Sequence, residues 1–172
     1  GTELIIIRRR GKRSLLANLL VGEMVSKVVA HAPCHVLIVP HKAHMWSQRV
    51  LAAVEPTEQG RQIVATAGAV AAECGLSLHV VSVGGAETER PQIEAFLADL
   101  LRRTQQAGVA TQGEVRIGRP FTEILAARAA CQADLIVMGS RGDTRIGRAL
   151  VGGVAQKVMG LSEHPVLVLR SQ

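Results

Sequence analysis

Short apolar runs closed by glycine, proline or polar clusters alternate along the chain with longer stretches in which apolar residues recur every three or four positions. Val50-Leu51-Ala52-Ala53-Val54, ended by Glu55-Pro56-Thr57, is continuous and short, which predicts a strand covered on both faces. Spacing then turns helical at Ile63, Val64, Ala67, Val70 and Ala71, predicting a helix from Glu58 to Glu73 that ends near Gly75. Leu78 to Val83 reads as a second strand, stopped by Gly84-Gly85. Pro91 suits a first helical position, and Ile93, Phe96, Leu97, Leu100 and Leu101 share one face of the helix that Gly108 closes. Glu114 to Ile117 is a short third strand; Gly118-Arg119-Pro120 turns into a helix through Ile124, Leu125 and Cys131. Leu135 to Met138 and Val166 to Leu169 are the fourth and fifth strands, with a helix between. This alternation predicts an α/β fold, an open parallel five-stranded Rossmann-like sheet with helices on both faces. In such sheets ligands bind beyond the carboxyl ends of strands, where strand order reverses.

Part of this plan occurs twice. Leu4-Ile5-Ile6-Ile7 matches Leu135-Ile136-Val137-Met138, Val25-Ser26-Lys27-Val28 matches Ala155-Gln156-Lys157-Val158, and Val36-Leu37-Ile38-Val39 matches Val166-Leu167-Val168-Leu169. With a period of about 130 residues, residues 48–172 form a complete unit and residues 1–40 the last third of another, leaving roughly ninety residues expected before Gly1. Residues 41–47 then read as a linker. The bare edge of the strand at residues 3–7 should seek a partner. Residues 36–39 and 166–169 are candidate edge strands that pair with each other or with a second chain, so a homo-oligomer is expected.

Composition narrows the function classes. Hydrophobic residues make up 48% and charged ones 20%, too apolar for disorder, and no apolar run approaches a membrane span. No secretory leader is legible, so a cytoplasmic protein is expected. Aromatics are 2%, so base-stacking platforms are nearly missing. The net charge of +6 is concentrated in Arg8, Arg9, Arg10, Lys12 and Arg13, read as a solvated cluster rather than a nucleic-acid surface. Cys34, Cys74 and Cys131 form no CxxC pair and read as buried free thiols. Gly11-Lys12-Arg13-Ser14 lacks the spacing of a phosphate-binding P-loop, and His41 and His44 lack metal-binding partners. His35, His79 and His164 read as packing residues, and Lys27 and Lys157 as exposed. No arrangement of nucleophile and base, paired carboxylates or metal ligands can be assembled, so at most a slow hydrolysis is expected.

After the fourth strand come Gly139-Ser140-Arg141-Gly142 and, nine residues on, Gly152-Gly153-Val154. Glycines permit sharp turns and close approach, and a helix start offers unpaired amides to phosphate. Arg141, Arg145 and Arg148 add positive charge. Each glycine within a helix costs about 1 kcal/mol against alanine. Close packing on the sheet or a ligand would offset that cost, and spacing supports both equally.

Asp134-Leu135-Ile136-Val137-Met138-Gly139-Ser140-Arg141-Gly142 followed by Gly152 resembles the signature of the universal stress protein family. Val115-Arg116-Ile117-Gly118-Arg119-Pro120 resembles its third-strand motif, and His31-Ala32-Pro33-Cys34 with Val36 to Val39 its domain ending. The resemblance implies ATP, with or without Mg²⁺, lying across the strand ends. By position, Ala53, Val54, Glu55, Leu78 and Met138 would form the adenine side, and Gly139, Gly142, Gly152, Gly153 and Val154 would hold ribose and phosphates. Glu55 or Asp143 would help hold Mg²⁺ beside the phosphates, the equal alternative being that each is a surface or cap residue. It implies a regulatory role in stress response, the alternative being a nucleotide-free structural and dimerisation module. Three departures matter. Glu55, one methylene longer, stands where the family has Asp at the first strand's end. Gly153 stands where the family has Ser or Thr, losing a hydrogen bond to phosphate worth roughly 1.5–3 kcal/mol, ten- to a hundredfold in affinity. Arg8 and Glu23 replace the matching Gly and Ser/Thr in the first copy, so no nucleotide is expected in residues 1–40. The reading as a whole requires that the bend after Met138 present unbonded amides to an anion.

Overall fold

Each short apolar run becomes a strand, and those at the centre of the sheet are covered on both faces, while the first, Leu4–Arg9, leaves Leu4 and Ile6 exposed. The computed structural model describes residues 3–9, 22–141 and 151–170. In chain order these form β1 (Leu4–Arg9), α1 (Glu23–His31), β2 (His35–Pro40), β3 (Arg49–Val54), α2 (Glu58–Glu73), β4 (Ser77–Gly84), α3 (Arg90–Gln106), β5 (Thr111–Ile117), α4 (Pro120–Cys131), β6 (Leu135–Gly139), α5 (Gly153–Leu161) and β7 (Val166–Leu169). The arginine and lysine cluster at residues 10–13, Gly142, Asp143, Arg145 and Arg148 lie outside the described residues.

The five predicted strands are β3 to β7, mutually parallel in the order β7-β6-β3-β4-β5. The sheet does not stop there. β2 joins β7 in antiparallel register, Val36 opposite Val168 and Ile38 opposite Val166, and β1 lies parallel to β2, making seven strands. The edges at 36–39 and 166–169 therefore satisfy each other within one chain. β5 starts earlier than its apolar signal, because Thr111-Gln112-Gly113 pair with Leu78-His79-Val80 despite their polarity. An edge strand tolerates such residues, since one of its sides remains in water.

Alternation sorts side chains into two layers. Leu51, Ala53, Val81, Ile136 and Met138 pack beneath α1, α4 and α5, while Val50, Ala52, Val54, Val80 and Val137 pack beneath α2 and α3. Both layers are aliphatic, as a composition almost without aromatics requires. The Asp134 carboxylate accepts hydrogen bonds from the amides of Ser47, Gln48 and Arg49 at 2.7–3.2 Å, drawing residues 47–49 against the amino end of β6.

Several polar expectations change. Cys34 is buried and Cys131 half-buried, but Cys74 is exposed, because it caps α2 beyond that helix's apolar stripe. His79 does more than pack: its Nε2 lies 3.2 Å from Glu114 Oε1. Lys27 is exposed and paired with Glu23, whereas the Lys157 ammonium sits over the Phe121 ring, 4.8 Å from its centre. No helix among the described residues is long and apolar enough to cross a membrane.

Candidate functional site

The chain leaves β3 for β4 on one side and returns to β6 on the other, so a crevice opens at the carboxyl ends of β3 and β6. This is where strand order reverses. Three helices begin around it. Thr57 Oγ1 accepts a hydrogen bond from Gly60 N at 3.1 Å and caps α2, while Pro120 starts α4 at a position that needs no amide donor. Gly60 is required here: a Cβ would lie 2.1 Å from the Glu55 carbonyl oxygen, so only glycine lets α2 close onto the strand end.

Of the candidate residues, Ala53, Val54, Glu55, Met138, Gly139, Arg141 and Val154 line the crevice, whereas Gly152 and Gly153 are not in its lining. Nor is Leu78. It sits at the amino end of β4, 1% exposed and paired with Val50 and Thr111, at the opposite end of the sheet. Val81 and Val83, nearer the carboxyl end of that strand, take the place assigned to it. The rule that ligands meet strand ends points to them, since successive residues of a strand lie about 3.3 Å apart. Gln59, Gly60, Ile63, Pro120, Ile124 and Ala155 also line the crevice. These come from helix starts, where strand-based reasoning has no signal.

The bend after Met138 differs from expectation. Ser140 N donates to Leu169 O at 3.1 Å, continuing the β6–β7 ladder by one residue, and Gly152 N donates to Ser140 O at 2.8 Å. Neither amide is open to an anion, and Gly142 is outside the described residues. The unbonded donors follow directly after Gly152. Gly152 is the N-cap of α5 without a side-chain cap, and Gln156 N makes the first helical bond, to Gly152 O. Among the described residues none accepts from the amides of Gly153, Val154 or Ala155. These are the orphan donors of a helix start, at the positive end of its dipole. No atom of the described residues lies within 4 Å of where a Cβ would stand on Gly153.

Comparison with known proteins agrees with the fold. The model of the universal stress protein family matches residues 1–40 and 47–170. A universal stress protein of Synechocystis sp. is 25% identical over 168 residues, covering 98% of this chain and 58% of that protein. The crystal structure of a universal stress protein from Archaeoglobus fulgidus superposes with a TM-score of 0.77 at 26% identity, covering 98% of this chain and 60% of that one. The chain thus spans less than two thirds of the length of either relative. A universal stress protein solved in complex with cAMP shares the fold, with a TM-score of 0.63 at 23% identity over 74% of this chain and 100% of its own.

Proposed function

The chain belongs to the universal stress protein family, and on that premise we propose that its crevice binds an adenine nucleotide in a regulatory, signalling role in stress response. The observation that carries the reading is the first turn of α5, where the amides of Gly153, Val154 and Ala155 meet no described acceptor and Val154 and Ala155 line the cleft. Phosphate oxygens would accept from Gly153, Val154 and Ala155, with Arg141 adding positive charge. Each hydrogen bond to a charged oxygen contributes about 1.5–3 kcal/mol, which after ordering costs places affinity at roughly micromolar to millimolar. Ala53, Val54, Val81, Val83 and Met138 offer apolar surface to adenine, and the Glu55 carboxylate can accept from ribose hydroxyls. The relative solved with cAMP supports this ligand class.

ATP with Mg²⁺ is the specific form of the proposal. Among the described residues no group of three or more His, Cys, Asp or Glu could hold a metal. The ion would ride on phosphate oxygens, with Glu55 as the carboxylate lining the cleft. Hydrolysis would be at most a slow side reaction of a cytoplasmic signalling module. In this reading residues 48–172 are the binding unit, and residues 1–40 a copy of its strand-helix-strand segment joined to it through 41–47. A homo-oligomer would form elsewhere than 36–39 and 166–169, which pair with each other.

A nucleotide-free structural module is the second reading, favoured by the bonded amides of Ser140 and Gly152 and by the missing hydroxyl at Gly153. Native mass spectrometry of the purified chain, followed by calorimetric titration with AMP and with ATP, with and without Mg²⁺, separates the two. Retained adenine nucleotide, or saturable binding below millimolar, is expected. No retained nucleotide and no heat at millimolar AMP or ATP leaves the structural reading standing alone.

A further inference from the structure

α5 has no basic residue in its last turn, yet its carboxyl end is capped by a cation from far away in sequence. The Arg9 guanidinium donates through Nη1 to Gly160 O and through Nη2, at 2.6 Å, to Ser162 O, across 151 and 153 positions of chain. Ser162 N closes the helix onto Val158 O, so both carbonyls are among those a helix end leaves without intrahelical donors. A cation there also faces the negative end of the helix dipole.

Topology brings Arg9 to that place. β2 runs antiparallel to β7, so β1 points its carboxyl end toward the edge of the sheet where α5 stops and β7 begins. Burial alternates along β1, and Ile5 and Ile7 pack into the same layer as Val158 and Met159 of α5. In the repeat, Arg8-Arg9 stand where Gly139-Ser140 stand in the second copy. The first copy thus sends a guanidinium to one end of α5, while the second copy leaves the other end open toward the crevice.

We propose that Arg9 is a positioning residue for the ligand-binding turn of α5, so that docking of the N-terminal strand and nucleotide binding are coupled. The inference rests on the preceding reading, that phosphate meets Gly153, Val154 and Ala155. α5 is nine residues long, about 13 Å from end to end, and a helix of that length moves as a unit. Released at its carboxyl end, it can tilt or slide on the sheet, and the three amides at the other end lose their common aim. Coupling between sites is reciprocal: if β1 docking strengthens nucleotide binding, nucleotide must strengthen β1 docking by the same factor.

The test uses the full chain as wild type, Arg9→Gln, Arg9→Lys and Arg8→Gln, with AMP as the probe. Arg8 carries the same charge one residue away, but among the described residues its Nη2 donates to His41 O and not to α5. Calorimetry should show AMP affinity falling about tenfold in Arg9→Gln, within the usual range of site-to-site coupling. Arg9→Lys should recover part of the loss, and Arg8→Gln should stay within about twofold of wild type. Hydrogen exchange of the wild type adds an arm that needs no variant to fold: AMP should slow exchange in β1 and β2 as well as in α5. Equal AMP affinity of wild type and Arg9→Gln overturns the inference alone, as does equal weakening by Arg8→Gln, or exchange in β1 that AMP leaves unchanged. A wild type that binds no AMP overturns this inference together with the proposed function.

Discussion

Replacing Gly153 tests whether phosphate lies at the first turn of α5, because two substitutions there stabilise the helix alike and act oppositely on the ligand. The backbone at Gly153 is not left-handed, and a Cβ meets none of the described residues within 4 Å, so Ser and Asp enter without strain against them. Either one removes unfolded-state freedom that glycine has, stabilising the fold by about 0.4–1 kcal/mol. For a chain of this size that raises the melting temperature by roughly 1–4 °C. Asp gains a further 0.3–1 kcal/mol or so from the helix dipole. With nucleotide the two diverge. The Ser hydroxyl can donate to a phosphate oxygen, worth about 1.5–3 kcal/mol, so Gly153→Ser should tighten AMP or ATP binding about ten- to a hundredfold. An Asp carboxylate about 5 Å from a phosphate charge, at an effective dielectric constant near 20, is repelled by about 3 kcal/mol, so Gly153→Asp should weaken binding by about a hundredfold. Thermal unfolding without ligand and calorimetric titration with it read both effects. Ser and Asp variants that melt higher yet bind AMP with the affinity of wild type would show that no phosphate approaches this turn.

Three further expectations concern the scaffold. Gly60→Ala drives a Cβ to 2.1 Å from the Glu55 carbonyl oxygen; backbone cannot yield as a side-chain tip does, so urea unfolding should show a loss of about 3 kcal/mol, at the upper end of overpacking costs. Asp134→Ala leaves the amides of Ser47, Gln48 and Arg49 without their shared carboxylate; the urea midpoint should fall by the equivalent of about 1.5–3 kcal/mol, with the slope unchanged. Hydrogen bonds from Arg61, Arg103 and Arg102 hold the Asp99 carboxyl at about 2, below its ordinary 3.8. Asp99 therefore binds its proton more weakly folded than unfolded, so its support is full well above 3.8 and lost as pH falls from there through about 2. The stability difference between wild type and Asp99→Asn should vanish over that interval; a difference independent of pH would show that the carboxylate's charge contributes nothing.

Local periodicity carries most of what can be read without coordinates. A buried strand needs four to six consecutive apolar residues, and an amphipathic helix needs them at three- and four-residue spacing, so Val50 to Val54, Glu58 to Glu73 and Val166 to Leu169 are legible from neighbours alone. The crevice is legible too, since reversal of strand order follows from the alternation, and most of the residues flanking it line it in space. What escapes is whatever depends on partners distant in sequence. Apolar runs say that residues 36–39 and 166–169 need neighbours, but their antiparallel pairing within one chain is chosen by how two repeats meet. Leu78 reads as a site residue by position, yet the register of β4 against β3 and β5 places it at the far end of the sheet. The amides of Ser140 and Gly152 look open on a glycine-rich bend, and only their meeting with Leu169 O and with each other's loop closes them. Arg9 reads as one charge in a solvated cluster until the antiparallel junction brings it to the end of α5. Hydrophobic burial is set residue by residue, whereas hydrogen-bond partners and charge placement are set by geometry summed over the whole chain.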